Sequence, residues 1–369
     1  MVRRLLVLNG IAVLGAVINH SSGWGFTAMF WWTDRYLPGS TPNFSQIGSL
    51  SYFGLRILEQ SIMFSIPAFL FVSGYFMAFA TGRDQDRPGL RVVGTRIRSL
   101  LFPYLLWSAG IFLWRGLEGT VNTPWGYFRQ LLFGQAAAPY YYVPLLIQYL
   151  LLSFLLVPLI KRHGKTVLVL AGLAQLFVQL SRYPVLLGWN VPLATWVTDH
   201  SPGFSILPMI FWFALGIYFG FNLPHLKNWL TRWKSILLPL TVLLGVVALV
   251  EWEILFRLSG REWLPPTVTV FDSLYSGAFI LMFLSRGSLR LPFDARLSDL
   301  GTKSFGVYLM HAPILEIASR AAYHISPWVI GHEVPFQLLL IGIGLGIPLL
   351  LMGLVDRSPA RPYYAFIFG

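Results

Sequence analysis

The sequence contains no cysteine and few charged residues. Among its 369 residues there is no Cys, and only 11% are Asp, Glu, Lys or Arg. The absence of cysteine excludes disulfides, thiolate nucleophiles and Cys-ligated metal sites. A soluble domain normally carries about 25% charged residues, so the low charge excludes an ordinary soluble protein. Together with 56% hydrophobic residues, this composition indicates an integral membrane protein.

Several motifs of nucleotide, metal and proton chemistry are also missing. There is no glycine-rich phosphate loop, and the seven histidines have no spacing typical of zinc ligands, so we expect no bound metal. The apolar stretches hold no run of carboxylates of the kind that proton-coupled carriers use, which weakens a carrier function without excluding it. The net charge of +12 is explained by the placement of the loops, so no nucleic-acid partner is expected.

Ten apolar stretches are long enough to cross a bilayer. Their approximate limits are 5–22, 58–80, 99–115, 140–160, 166–181, 204–221, 235–251, 267–285, 304–322 and 335–355. Prolines within several of them predict kinks, which neighbouring helices can tolerate: Pro67, Pro103, Pro144, Pro208 and Pro348. No repeat or soluble domain is recognisable. The sequence therefore predicts an all-α polytopic membrane protein with a single domain over residues 1–369.

Basic residues are concentrated in alternate loops. If the N-terminus is cytoplasmic, the inside segments hold Arg3, Arg4, Arg83, Arg87, Arg91, Arg96, Arg98, Lys161, Arg162, Lys165, Lys227, Arg232, Lys234, Arg286, Arg290, Arg296, Lys303, Arg357 and Arg361. This bias follows the positive-inside rule. It predicts ten transmembrane helices with both termini cytoplasmic, an uncleaved first helix, and a multi-pass protein of the plasma (inner) membrane.

The first apolar stretch, LLVLNGIAVLGAVINHSS, carries Asn9 and His20 within its length. Eleven residues separate them, which at about 100° per residue returns a helix to nearly the same face. At about 1.5 Å per residue the two lie roughly 16 Å apart along the axis. Polar groups inside a membrane typically mark a functional path. The alternative is a histidine that only caps the helix at the water interface.

Two later motifs add polar residues at helical spacing. RIRSLLFPYLLW places Arg96 and Arg98 at the entrance of the third helix, where they could hold anionic lipid or the phosphates of a nucleotide-bearing donor. KSFGVYLMHAPILE places Ser304, Tyr308 and His311 at i, i+4 and i+7. A lone histidine would more often be a core residue, but Ser and Tyr on the same face favour a cavity.

The second stretch contains FLFVSGYFM, in which Ser73 and Gly74 are small residues typical of helix contacts. Nearer its other end, Glu59 follows Arg56 by three residues, so the two can pair on one face. Such a pair is either structural or part of an acceptor cleft. The predicted outer loops are rich in tryptophan and carboxylates, a combination typical of a sugar-binding surface or of an interfacial aromatic belt.

In this order, the motifs resemble the acyltransferase 3 family of integral membrane O-acyltransferases over essentially the whole chain. NGIAVLGAVINHS is similar to the family's opening motif, in which histidine follows an arginine by eleven positions. FLFVSGYFM, RIRSLLFPYLLW and KSFGVYLMH are similar to its second-helix, third-helix and late motifs. Two positions depart from the family pattern. Its first arginine is Asn9 here, and its two arginines spaced by three become Arg96 and Ser99, with Arg98 between.

The resemblance implies transfer of an acyl group, expected to be acetyl, from a cytoplasmic acyl-CoA to a hydroxyl of an extracytoplasmic or lipid-linked carbohydrate. Acetyl-CoA is the expected donor, and membrane lipid is a further partner. The implied residues are His20 as general base, Asn9, Arg96 and Arg98 at the donor, and Glu59, Ser73, Tyr308 and His311 at the substrate. Direct transfer and a transient acyl-histidine stay open. So do a carrier or flippase for a lipid-linked or amphipathic substrate, and a catalytically degenerate relative.

Overall fold

A computed structural model describes residues 1–286 and 293–369. These residues form helices joined by short connections, and no strand occurs among them. The all-α fold predicted from the sequence is therefore confirmed for the described part of the chain. Arg290, which the sequence places among the inside basic residues, lies outside the described residues.

In chain order, the helices are α1 (Val2–Trp31), α2 (Leu50–Ser61), α3 (Ser65–Thr81), α4 (Leu90–Leu117), α5 (Pro124–Phe133), α6 (Tyr142–Leu186), α7 (Pro192–Asp199), α8 (Ile210–Phe221), α9 (Leu223–Leu258), α10 (Val270–Ser285), α11 (Asp294–Thr302), α12 (Ser304–Ile325), α13 (Pro327–Ile330), α14 (Glu333–Asp356) and α15 (Tyr364–Phe368). Short 3-10 helices cover Thr33–Arg35, Ala138–Tyr141, Leu207–Met209 and Arg361–Tyr363.

Each of the ten predicted stretches overlaps a helix. By length and apolar composition, six helical segments qualify as candidate membrane spans: Val2–Trp31, Leu50–Thr81, Leu90–Leu117, Ala138–Leu186, Leu223–Leu258 and Glu333–Asp356. Leu207–Phe221 and Val270–Ser285 are shorter apolar segments. The multi-pass architecture is thus supported, while the count of ten and the cytoplasmic position of both termini stay predictions.

The fourth and fifth predicted stretches lie on one long helix, α6, which has 45 residues. The backbone of His163 departs from helical geometry, with φ −135° and ψ 40°, and this kink divides the helix between the two stretches. Pro158 lies five residues before it, and proline within a helix removes a backbone hydrogen bond. The kink therefore occurs where the sequence places the inside loop between the two spans.

One predicted boundary is wrong, and a second predicted stretch, within the candidate span Leu50–Thr81, is helical on both sides of a short break. The first helix continues to Trp31 instead of ending at residue 22. Phe26, Met29 and Phe30 recur at helical spacing and are buried, so this segment keeps an apolar face and extends the helix. The stretch 58–80 is not continuous, because α2 ends at Ser61 and α3 begins at Ser65. Pro67 has no N–H to donate to the carbonyl of residue 63, and as the third residue of α3 it lies in the first helical turn, where no such bond is needed.

Helix α1 is central to the architecture and packs against α2, α3, α11, α12 and α14. It crosses α11 at Gly10, where a Cβ atom would overlap the carbonyl oxygen of Leu297. Gly301 makes the reciprocal approach from α11. Helices α3 and α8 cross in the same way, because a Cβ on Gly74 would overlap the carbonyl oxygen of Phe213. The helix-contact role predicted for Gly74 is confirmed.

Candidate functional site

Three cavities lie along the bundle near His20 and Tyr308. The central cavity, of about 260 Å³, is lined in part by Ala16, Asn19, His20, Glu59, Met63 and Tyr308. The Asn9 cavity, of about 150 Å³, is lined in part by Asn9, Phe69, Ser73, Leu100, Ser304 and Tyr308. The Trp114 cavity, of about 170 Å³, is lined in part by His20, Trp24, Trp114, Arg115, Pro313 and Glu316.

Two side chains connect these cavities. His20 lies in the wall of both the central cavity and the Trp114 cavity. Tyr308 lies in the wall of both the central cavity and the Asn9 cavity. The two polar positions of α1, predicted to share one helix face, therefore open into cavities that adjoin through a single tyrosine. His20 can be reached from the central cavity and from the Trp114 cavity, and the Asn9 cavity adjoins the first of these.

His20 has a second histidine beside it. The ring centroid of His311 lies 5.1 Å from that of His20, with the ring planes inclined by 48°. His311 is fully buried and lines none of the three cavities, so it stands behind His20 instead of facing a ligand. Its Nδ1 lies 3.2 Å from the carbonyl oxygen of Val307. A proton on Nδ1 would donate to that carbonyl, which leaves Nε2 with a lone pair.

The lone pair of His311 Nε2 is the unusual feature of this contact. Nε2 is buried and has no hydrogen-bond partner within the part of the chain that the structure describes. A buried polar atom without a partner is costly, and its surroundings show what could satisfy it. The nearest ring that could supply an N–H is that of His20. The geometry therefore places a cavity-facing imidazole beside a buried imidazole whose Nε2 can accept a hydrogen bond from an N–H group.

Tyr308 forms a fixed partition between the central cavity and the Asn9 cavity. Its side chain is buried, and its hydroxyl donates to the carbonyl oxygen of Pro139. Its ring centroid lies 5.5 Å from that of Tyr142 and 5.6 Å from that of His311. Packing on two sides and a hydrogen bond at the tip leave the ring little freedom. Tyr308, one of the predicted substrate residues, thus lines both cavities.

Asn9 is tied to the junction of α11 and α12. Its Nδ2 donates to the carbonyl oxygen of Gly301 at 3.1 Å and to the hydroxyl of Ser304 at 2.7 Å. The neighbouring basic residues interact elsewhere: Arg3 pairs with Asp294 at 3.1 Å, and Arg4 donates to the carbonyl of Phe283 at 2.9 Å. Asn9 therefore lines its cavity with a neutral amide whose donor group is already used.

The two predicted donor arginines lie outside the three cavities. Arg96 is half-buried and donates to the carbonyl oxygen of Phe76 at 3.1 Å, which links α4 to α3. Arg98 is exposed. Leu100, one helical turn after Arg96, lines the Asn9 cavity, so Arg96 lies next to the end of that cavity. The structure brings Asn9, Ser73 and Tyr308 together and leaves the two arginines at the edge.

Glu59 lines the central cavity and forms the predicted ion pair with Arg56. The guanidinium of Arg56 also lies 3.6 Å from the ring centroid of Trp252. Next to this pair, Gln60 donates to Asp272 at 2.8 Å. Buried charges need such partners, because an unpaired charge in a low-dielectric interior is strongly destabilising. Glu59 thus belongs to a network of buried polar side chains and also lines the central cavity.

Sequence patterns missed the Trp114 cavity. Trp114 and Arg115 lie near the end of α4, and Glu316 lies on α12, about 200 residues later in the chain. The only available signal was a Trp-Arg pair at the end of an apolar stretch, which is equally typical of an interfacial anchor. Within 1–286 and 293–369, no group of three or more His, Asp or Glu residues is arranged to hold a metal ion.

Comparison with known proteins gives one family and several relatives. A family model described as an acyltransferase domain matches residues 5–353. The chain is similar to proteins named "Probable poly-beta-1,6-N-acetyl-D-glucosamine export protein" from Staphylococcus aureus strains MRSA252, MSSA476 and MW2. Each is 22% identical over 269 residues, which cover 70% of this chain and 71% of the relative. No solved structure matches the chain.

Proposed function

Because the chain belongs to the acyltransferase 3 family, we propose that it is a membrane O-acyltransferase. It moves an acyl group, acetyl in the simplest case, from a cytoplasmic acyl-CoA to a hydroxyl of an extracytoplasmic or lipid-linked carbohydrate. One observation carries this proposal: His20 lies in the wall between two cavities, and one of them adjoins the Asn9 cavity through Tyr308. A base in that position can meet a donor from one side and an acceptor from the other.

The chemistry assigned to His20 is general base catalysis. Its free ring nitrogen takes the proton of the acceptor hydroxyl as the hydroxyl oxygen attacks the thioester carbonyl carbon. The new C–O bond forms, the C–S bond breaks, and the CoA thiolate takes the proton back from the imidazolium. Imidazole is suited to this cycle because it titrates near neutral pH. A positioned base of this kind typically contributes about 10²- to 10⁴-fold to the rate.

His311 is assigned the role of a positioning residue. A small rotation of the His20 ring, whose centroid is 5.1 Å away, would let its second nitrogen donate to Nε2 of His311. That hydrogen bond would fix the tautomer of His20 and leave the other nitrogen free as the base. Bases in nucleophilic and acid–base sites are commonly oriented by such a third group.

The donor is assigned to the Asn9 cavity. Ser73 and Tyr308 line it, Arg96 lies next to its end, and Arg98 follows on the exposed side of α4. Since Asn9 is neutral, the positive charge for the CoA phosphates falls to the two arginines, whose guanidinium groups match phosphate oxygens. Glu59, at the edge of the central cavity, can accept a hydrogen bond from a hydroxyl of the substrate.

A carrier is the second candidate, and the name of the Staphylococcus aureus relatives favours it because that name describes an export protein. The same series of cavities would then be a transport route for carbohydrate. The two functions differ in one respect: a carrier moves its substrate without consuming a thioester.

The deciding experiment uses purified protein in nanodiscs with radiolabelled acetyl-CoA and a β-1,6-linked N-acetylglucosamine oligosaccharide. We expect label to reach the oligosaccharide with wild-type protein and not with His20→Ala. His200→Ala is the matched control, because His200 is exposed and stacks on Trp196 away from the cavities. Wild-type activity in His20→Ala would refute the role of His20. Oligosaccharide movement across proteoliposomes without loss of thioester would establish the carrier instead.

A further inference from the structure

The Trp114 cavity reaches His20 from the side that does not adjoin the Asn9 cavity. Its wall combines two tryptophan rings, Trp24 and Trp114, with the charged side chains of Arg115 and Glu316. Its volume of about 170 Å³ is that of a small polar molecule, comparable with one sugar ring. Ligand pockets that orient their ligands typically pair aromatic walls with a few polar groups.

Arg115 is the least explained charged residue at this site. It is half-buried, yet its side chain has no hydrogen bond or ion pair within residues 1–286 and 293–369. The neighbouring Arg320, by contrast, pairs with Glu118 at 2.9 Å and with Glu316 at 2.6 Å. A guanidinium group carries five N–H donors and no acceptor. Arg115 is therefore free to donate to oxygen atoms of a ligand in the cavity.

The central cavity has a mixed lining. It combines apolar residues such as Ile62 and Met209 with the polar Asn19 and Glu59, and it adjoins the Asn9 cavity through Tyr308. None of the residues that line the Trp114 cavity lines the Asn9 cavity. His20 can therefore be approached from two cavities, of which only the central cavity adjoins the Asn9 cavity.

From these observations we propose that the Trp114 cavity is the acceptor site and takes one pyranose unit of a carbohydrate. The C–H face of the sugar stacks on Trp114 or Trp24, and its hydroxyl or carbonyl oxygens accept from Arg115. Glu316 accepts from another hydroxyl, and the reacting hydroxyl points at His20. This assignment rests on the proposed acyltransferase function for the identity of the reaction, but the binding of carbohydrate in this cavity can be measured without it.

The test compares Trp114→Ala and Arg115→Gln with two matched controls. The controls are Trp229→Ala, an exposed tryptophan on α9, and Arg129→Gln, an exposed arginine on α5, neither of which lines the three cavities. Trp114→Phe keeps an aromatic ring, so it controls for a loss of folding in Trp114→Ala. Equilibrium dialysis of the same oligosaccharide, here carrying its own radiolabel, against nanodisc protein gives the binding constant, and initial rates give the KM values for oligosaccharide and for acetyl-CoA.

We expect Trp114→Ala and Arg115→Gln each to weaken oligosaccharide binding about tenfold, as for one aromatic or arginine anchor of an interface. The KM for oligosaccharide should rise in proportion, while the KM for acetyl-CoA and the binding by both controls stay at the wild-type values. Trp114→Phe should bind with intermediate strength.

The outcomes separate this assignment from the proposed function. Binding that weakens in both cavity variants, in a protein that consumes no thioester, supports the carbohydrate site and refutes the acyltransferase. Acyl transfer with unchanged oligosaccharide binding and KM in both cavity variants overturns the site and keeps the acyltransferase. Wild-type protein that binds no oligosaccharide also overturns the site.

Discussion

The imidazole rings of His20 and His311, on α1 and α12, lie with their centroids 5.1 Å apart and their planes inclined by 48°. One ring faces two cavities, and the other is fully buried with Nε2 unpartnered among the described residues. The contact joins the polar residues predicted on α1 to those predicted on α12. It is the basis of the positioning role proposed for His311.

Replacing His311 tests this role directly. His311→Phe keeps a ring of similar size but removes the acceptor, so we expect kcat to fall by about 10- to 100-fold, the loss seen when the orienting partner of a metal-bound histidine is removed. The KM for acetyl-CoA should not change, because His311 touches no cavity. His311→Gln, whose amide oxygen can accept, should recover part of the rate.

A spectroscopic readout separates positioning from general packing in these variants. Nitrogen NMR of labelled histidine should show one tautomer of His20 in the wild type and a mixture in His311→Phe. The same tautomer in both proteins, with an unchanged kcat, would contradict the positioning role.

The hydrogen bonds of Asn9 predict a stability effect. Asn9→Ala removes both donations, to Gly301 and Ser304, which link α1 to the junction of α11 and α12. Loss of one partner of a buried hydrogen bond costs about 1–3 kcal/mol, so the thermal midpoint in detergent should fall. Asn190→Ala, at an exposed position, is the control and should leave the midpoint unchanged. Equal midpoints in the two variants would show that Asn9 contributes nothing to the contact.

Asn9→Arg addresses the departure from the family pattern. If the wild type transfers acyl groups, the larger charged side chain should disturb the bonds to Gly301 and Ser304 and reduce the rate. If the wild type is inactive, acyl transfer gained by Asn9→Arg would identify the chain as a degenerate relative. The same radiolabel transfer assay measures both cases.

The α1–α11 crossing predicts that alanine substitutions at two glycines will differ in their effect on stability. Gly10→Ala places a methyl group on the carbonyl oxygen of Leu297, a backbone atom that cannot move aside cheaply. Overpacking of this kind typically costs about 1–3 kcal/mol, which should lower the thermal midpoint in detergent. Gly110→Ala, on α4 with no atom within 4 Å of the added carbon, should be neutral or stabilising. A tolerated Gly10→Ala would mean that the two helices separate more readily than their packing indicates.

The absence of cysteine makes the predicted orientation easy to test. Any cysteine introduced by mutation is the only thiol in the chain. Ser40→Cys, after α1, should react with an impermeant maleimide added to intact cells, whereas Asp84→Cys, between α3 and α4, should react only after the membrane is opened. Both positions are exposed. The reverse labelling pattern would invert the topology that the positive-inside rule predicts.

Much of the helical fold could be predicted because apolar runs of spanning length are visible in the sequence itself. The extension of α1 to Trp31 was missed because Gly23 and Trp24 interrupt the hydrophobic run, although Phe26, Met29 and Phe30 restore an apolar face. The break between α2 and α3 was missed for the opposite reason, since the run of apolar residues continues through a segment that is not helical.

The candidate site was predictable only where its residues share a helix. Asn9 and His20 could be paired from their spacing on α1, and so could Ser304, Tyr308 and His311 on α12. The approach of His311 to His20, and the meeting of Arg115 with His20 at one cavity, depend on how α1, α4 and α12 pack together. Nothing in the spacing of a single helix encodes that packing, so the second histidine and the Trp114 cavity became visible only in three dimensions.

The placement of Asn9 and His20 on one unbroken helix fixes the distance between them. Helix α1 contains no proline, so the interval between the two residues, roughly 16 Å, is set by the rise of the helix. Changes in loops or in neighbouring helices cannot lengthen or shorten it. Under the proposed function, a donor anchored beside Asn9 would therefore reach His20 only if its flexible arm spans that length.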